Sequence, residues 1–369
     1  MKHFSIRHFA SAALIGAALL PGIADSGALA QQTKILTADK HNEYGLVYSL
    51  PVTALKITVT ARKETLIAGP YANYSKKYLA AENPIMESGE KWTLLNVEVT
   101  PYGAIDPEVR YLMQLKPGAT TFIGVDRDGM LLTVNKEIEE TSTPGRPAAA
   151  AEETAYYDGR EYLQFVDEDF IASQSKAKQA EMLAENLMDV RDAYLSLTRG
   201  TADTMPVDGK QLELMLTSLK EQQRAMTAAF TGCSYSETVT RTYTYVPEED
   251  TSMTLFRFSD FKGFCGPQDY AGEPVELRVN VTAEGKLPVD ANGREKELPK
   301  DGLRYAIPGE AQITLSYRGH QVFNDELEFA QFGCVFALSP GLFTDKKSPS
   351  YAVFDPVTGG LRELGTLAR

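Results

Sequence analysis

Leu55-Lys56-Ile57-Thr58-Val59-Thr60-Ala61-Arg62 alternates apolar and polar side chains without a break. A period of two puts Leu55, Ile57, Val59 and Ala61 on one face and the hydrophilic residues on the other, the pattern of a half-buried β-strand. Just upstream, Tyr44, Leu46, Tyr48 and Leu50 share one face of a second strand, with Pro51 as its expected stop. Downstream, Trp92 to Thr100 and Glu108 to Leu115 read as strands, and Thr121 to Val134 as a hairpin turning on Asp128-Gly129, whose glycine tolerates positive φ. Between them, Gly69-Pro70 opens a short helix whose Tyr71, Tyr74 and Tyr78 recur at spacings of three and four and should pack inward. Residues 40–135 are therefore expected to form an N-terminal β module.

Residues 136–152 change character. Glu137, Glu139 and Glu140 precede Thr141-Ser142-Thr143-Pro144-Gly145-Arg146-Pro147 and a run of alanines, a composition that denies a packed core and predicts a loop or linker. A new periodicity then starts near Ser173. Ala180, Leu183, Leu187, Val190, Tyr194 and Leu197 form one helical stripe, stopped by Gly200. Asp208 caps a second helix with Leu212, Met215, Leu219, Met226 and Phe230 as its matching stripe. Residues 170–232 thus predict an antiparallel hairpin, each helix about 35 Å long, that projects in part beyond its β neighbours. After Cys233 the period returns to two. Thr238 to Tyr245, Thr251 to Phe258, Val275 to Val281, Ala311 to Tyr317 and Tyr351 to Phe354 read as strands, with turns at Asn292-Gly293 and Pro308-Gly309. The expected fold class is α+β, mainly β: two sandwich-like β modules, the second spanning residues 233–369, with the helical hairpin between them.

The first thirty residues read as a secretory signal peptide. Lys2, His3 and Arg7 give a basic start, Phe9 to Leu20 is apolar apart from Ser11, and Ala28-Leu29-Ala30 offers a cleavage site. That run is too short for a permanent anchor and no second stretch of its kind follows, so no transmembrane anchor is expected. The formal charge is −13, and −14 once residues 1–30 are removed with Lys2, Arg7 and Asp25. Such a charge repels phosphate backbones and makes nucleic acid a poor partner. The chain is long enough for two or three packing units. Three cysteines are an odd set for an oxidising compartment. Cys334 lies in the apolar run Phe332-Gly333-Cys334-Val335-Phe336 and reads as core, which leaves Cys233 and Cys265 as the candidate disulfide among three possible pairings.

One internal echo joins the two ends. Glu43-Tyr44-Gly45-Leu46-Val47-Tyr48-Ser49-Leu50 and Gln331-Phe332-Gly333-Cys334-Val335-Phe336-Ala337-Leu338 share Gly, Val, Leu and two aromatic positions. Each reads as a strand with one aromatic face and a glycine on the other, where a neighbouring backbone can come close. Two readings stand: chance likeness between core strands, or two related β modules flanking the helices.

The segment Tyr44-Gly45-Leu46-Val47-Tyr48-Ser49-Leu50-Pro51, the strand Leu55 to Val59, Gly69-Pro70-Tyr71-Ala72 with Tyr74, Lys77, Tyr78 and Leu79, and Val97-Glu98-Val99 with Asp106-Pro107 resemble an exported Bacteroidetes family, domain of unknown function 4831. The likeness is specific over residues 43–115 and looser at Tyr305 to Pro308 and Ala330 to Pro340. It implies an envelope or secreted protein of a Gram-negative bacterium. It brings no activity, cofactor or catalytic residue.

Chemical signatures are sparse. His41 and His320 stand alone without a ligand pattern, and the sequence has no HExxH, nucleophile elbow, dinucleotide fingerprint or phosphate loop. No metal, cofactor or catalytic residue is therefore assigned. Asp126-x-Asp128-Gly129 opens like a calcium loop but lacks its closing glutamate, so a hairpin turn is the better reading. Asp167-Glu168-Asp169 and Glu248-Glu249-Asp250 offer paired carboxylates, which in loops are usually solvated charge. Trp92 and the many tyrosines are the residues from which sugar platforms are built. Asp203-Thr204-Met205, between the helices, resembles a short O-glycosylation acceptor centred on Thr204. The leading expectation is a non-enzymatic envelope protein whose helices or β edges contact another protein. A glycan-binding module, separable by a glycan array with a Trp92→Ala control, comes second, and a hydrolase of unknown type third.

Overall fold

A computed structural model describes residues 33–35, 46–106, 109–113, 122–137, 159–299, 302–339, 341–344 and 348–367. The expected signal peptide, His41 and most of the expected linker at 136–152 lie outside these residues. In chain order, β1 (Thr33–Ile35), β2 (Leu46–Tyr48) and β3 (Pro51–Ile67) lead to a 3-10 turn at Ala72–Tyr74 and to α1 (Ser75–Leu79). Next come β4 (Gly89–Ile105), β5 (Tyr111–Met113), β6 (Ile123–Val125) and β7 (Leu131–Val134). The helical segment holds a 3-10 turn at Glu161–Phe165, α2 (Glu168–Ala172), α3 (Lys176–Arg199) and α4 (Gly209–Thr231). The remainder is β8 (Cys233–Tyr245), β9 (Thr251–Ser259), β10 (Gly263–Cys265), β11 (Glu273–Ala283), β12 (Leu303–Tyr317), β13 (His320–Leu338), α5 (Gly341–Thr344), β14 (Ser350–Phe354) and β15 (Leu361–Thr366). The chain is α+β and mainly β, as its periodicities require.

The strands do not sort by sequence. A three-stranded sheet in the order β4-β3-β8 faces a five-stranded sheet in the order β10-β9-β11-β12-β13. Leu55, Ile57, Val59, Val97 and Val99 from the first interdigitate with Phe256, Phe258, Val275, Leu277, Ile313, Leu315 and Phe329 from the second. Two sheets share one core face to face, as in a β-sandwich, and that core draws on both ends of the chain. A second core forms where β14, β15, β7 and β6 make one sheet and β1, β5 and β2 another, around Tyr48, Met113, Leu131, Leu303, Phe336 and Phe354.

The expected division into modules at 40–135 and 233–369 is therefore corrected. β3 pairs with β8 over thirteen residues, β7 pairs with β14, and Gly103 lies against the Pro356 carbonyl. Thr53, fully buried, donates its hydroxyl to the Val357 carbonyl at 3.1 Å and accepts the Ala330 N–H at 3.0 Å. The Gln331 side chain bonds both the N–H and the carbonyl of Thr53. Buried polar groups satisfied across the seam in this way hold one body together.

The echoed segments meet inside that body. Tyr48 and Leu50 share the second core with Phe336 and Leu338. Pro51 begins β3 instead of ending a strand, and Pro308-Gly309, expected as a turn, lies inside β12 at a register shift between Ile307 and Gly309. There the β12–β13 ribbon bends from one core to the other. A Cβ at Gly333 would overlap the Ile307 carbonyl oxygen, one at Gly285 the Ile307 and Pro308 carbonyl oxygens, and one at Gly309 the Phe332 carbonyl oxygen. Three glycines let three backbones touch at the bend.

The helices form a separate arm. Tyr71 is 4% exposed and packs against Tyr162, Phe170 and Phe230 with ring centroids 5.9–6.2 Å apart. This knot joins α1 and the two 3-10 turns to Leu183, Leu187, Met226 and Phe230. Ser175 and Asp208 cap α3 and α4, and Gly200 ends α3 in the left-handed region. In α4 the half-buried seam runs through Leu212, Leu216 and Leu219, while Met215 is 39% exposed. Counting back from Phe230 in steps of four and three reaches Leu216, so the expected place of Met215 in the stripe was one position out.

Candidate functional site

An open groove of about 1100 Å³ runs along β4. β4 supplies one wall, and the β9–β10 turn at Asp260-Phe261 and the β12–β13 turn at Tyr317, Arg318 and His320 supply the other. The groove is thus a product of the interleaving: one wall comes from the N-terminal third of the chain and the other from the C-terminal third.

A bulge shapes the β4 wall. Thr60 pairs with Asn96 but Ala61 pairs with Leu94, so Leu95 is the extra residue. Trp92 and Leu94 before it and Val97 and Val99 after it all face the core, while Leu95 turns out of the ladder and stays 49% exposed. Phe261 in the opposite turn is 79% exposed. Arg318 adopts φ 52° and Gly319 φ 76°, a two-residue hairpin turn that demands positive φ at both positions. Arginine there carries backbone strain. Its guanidinium bonds Asp260 at 2.8 Å and lies 5.0 Å from the Tyr317 ring centroid, closing one end of the groove. The Tyr317 hydroxyl is buried with no hydrogen-bond partner among the described residues, and burial raises its pKa.

Trp92 lines the same groove, but its ring is occupied. Its backbone N–H bonds the Asp260 carbonyl at 2.7 Å, and one face of the indole rests on Gly263, where any Cβ would overlap it. The Lys63 ammonium lies 5.7 Å from the ring centroid, and the indole N–H donates to Glu90 at 3.3 Å. Lys63 also bridges Glu90 at 3.0 Å and Glu237 at 3.4 Å, a charged row across β4, β3 and β8. The hydrogen bond from Lys63, then that from Trp92, lowers the Glu90 carboxyl below its ordinary value of 4.5. A depressed carboxyl adds stability at higher pH and loses it as pH falls through the lowered value. Because Trp92 is the single tryptophan, intrinsic fluorescence should step at a pH below 4.5, and Lys63→Met should move the step upward. A step that ignores Lys63→Met would disconnect Glu90 from the indole.

Other residues singled out from sequence have structural work. Asp126 accepts the N–H groups of Asp128 and Met130, a hairpin turn with Gly129 at φ 89°. Asp167 caps α2 by accepting the Phe170 N–H at 2.8 Å, which places Glu168 and Asp169 in its first turn. Asp250 accepts the Val281 N–H at 2.6 Å. His320 lines the groove, whose Asp260 and Glu90 carboxylates are engaged by Arg318 and Lys63. Thr204 is exposed in the loop between α3 and α4.

The expected Cys233–Cys265 bridge is corrected: Cys233, Cys265 and Cys334 are all thiols. Cys233 opens β8, whereas Cys265 is near enough to Tyr243 to influence its phenol, ten residues farther along the same strand. Ten residues of strand span about 33 Å, far beyond disulfide reach. Burial raises the pKa of Cys265 and Cys334, which makes them poor nucleophiles.

A family model described as Domain of unknown function (DUF4831) matches residues 44–362. The chain belongs to the DUF4831 family. The match takes in both β segments and the helical arm, so in this DUF4831 chain the groove and the arm are parts of one family unit. Neither the curated proteins nor the solved structures give a match. Among the described residues of the DUF4831 chain no helix is long and apolar enough to cross a membrane. Sequence reasoning missed Leu95, Phe261, Tyr317 and Arg318 as groove residues because they come from three distant segments. Only Arg318-Gly319, a turn with glycine at its second position, gave any local signal.

Proposed function

We propose that the chain is an exported, non-enzymatic binding protein of a Gram-negative envelope, and that it seats an apolar segment of another protein in the groove beside β4. The observation that carries this reading is the bulge that turns Leu95 out of the core to face the groove opposite Phe261. An apolar cleft with a few polar groups is the usual form of a binding site. A glycan is the weaker guest, because sugar recognition needs an open ring face and those of Trp92 are taken by Gly263 and Lys63. The basic start and apolar run of residues 1–30 support export, and in that setting Thr204 is an accessible acceptor for an O-glycan.

The test is a photo-crosslinking residue placed in the producing bacterium at Leu95 or Phe261, and separately at Val207 or Leu214 on the arm. The groove positions should yield one discrete protein adduct. Adducts only from the arm would move the site there, and a diffuse glycan adduct at Leu95 would replace the protein guest.

A further inference from the structure

The outer end of the helical arm is short of cover. Burial in α4 begins only at Ala225, although residues 209–224 carry Leu212, Leu214, Met215, Leu216 and Leu219, and α3 buries only Leu197 beyond Leu187. Met188, Leu195, Met205, Val207, Leu214 and Met215 are all exposed at this end. Two helices alone leave part of their apolar surface wet, and helices in proteins draw most of their stability from further packing.

Lys210, Leu214, Thr217 and Glu221 recur at spacings of four, three and four, and all are exposed. At about 100° per residue they form one stripe, on the side of α4 turned away from the half-buried seam of Leu212, Leu216 and Leu219. This stripe is complementary to its own reverse. An antiparallel copy centred between Met215 and Leu216 sets Lys210 against Glu221 and Leu214 against Thr217, each pair occurring twice, in the layers of an antiparallel coiled coil. Glu213 and Lys220, on one flank of the stripe, then face the Lys220 and Glu213 of the copy. A parallel copy would stack Lys210 on Lys210 and Glu221 on Glu221, so the charges select the antiparallel arrangement. Among the described residues Lys210, Glu213 and Glu221 have no ion-pair partner within their own chain, and the Lys220 ammonium lies 5.7 Å from the Tyr194 ring centroid. We propose that the arm is a self-association device, and that two copies of the chain pair antiparallel through the outer faces of their α4 helices.

The experiment is sedimentation of the chain lacking residues 1–30 over a concentration series. The wild type should dimerise. Lys210→Glu and Glu221→Lys each turn two opposite-charge pairs into two like-charge pairs, and each should weaken the dimer about tenfold while keeping the unfolding temperature. Mixed in equal amounts, the two variants should associate with one another, because every glutamate then meets a lysine. The double variant should recover the wild-type affinity to within about threefold for the same reason. Leu214→Glu, a change at an exposed position, should weaken the dimer by about tenfold or more. A wild type that stays monomeric overturns the proposal. So does a dimer that ignores both charge reversals, or one that neither the mixture nor the double variant restores.

Discussion

Replacing Gly333 with valine is expected to lower the unfolding free energy by about 3 kcal/mol or more, among the largest effects of any single substitution in the body. The new side chain would overlap the Ile307 carbonyl oxygen, and that atom belongs to a strand pinned between Gly285 and β13. Backbone on every side removes the cheap relaxation that a flexible neighbour would allow. In a body of this size the unfolding temperature should drop by about 4 °C or more. Gly89→Ala serves as the control, because a Cβ there meets nothing within 4 Å, and its effect should stay within about 0.5 kcal/mol. Thermal melts of the two variants check the contrast. Equal stabilities would mean that the bend between the two cores does not depend on close backbone approach.

Much of this architecture was readable from local pattern. The alternation of Leu55 to Arg62, the Asp128-Gly129 turn and the tyrosines at 71, 74 and 78 each carry their structure in the spacing of neighbouring residues, because one face of a strand or helix must be dry. What was not readable is which strand lies beside which. β3 pairs with β8 nearly two hundred residues later, and nothing in Lys56, Thr58 or Arg62 names Thr244, Thr242 or Thr238 as partners. The expected modules failed for that reason: a break in composition near residue 140 marks a surface segment, and strands on either side of it still share a core. The echo between residues 43–50 and 331–338 was a better guide than the break, since Tyr48 and Leu50 share the second core with Phe336 and Leu338. The groove was the least legible feature. Leu95 looks like a core residue in sequence, and only the register against Thr60 and Ala61 reveals it as the residue squeezed out.

The composite nature of the body predicts the other large effect. Residues 40–135 contain β2 to β7, yet the side chains facing Leu55, Ile57 and Val59 come from β9, β11, β12 and β13. Expressed alone, this fragment would leave one side of its main sheet wet and should lose all cooperative stability. The groove would vanish with it, because its second wall is Asp260-Phe261 and Tyr317 to His320. The decisive measurement is an amide proton–nitrogen NMR spectrum and a thermal melt of residues 40–135 beside those of the whole chain. Collapsed amide dispersion and no melting transition in the fragment are predicted. A dispersed spectrum with its own cooperative melt would show a self-sufficient N-terminal module and contradict a groove built jointly by the two ends of the chain.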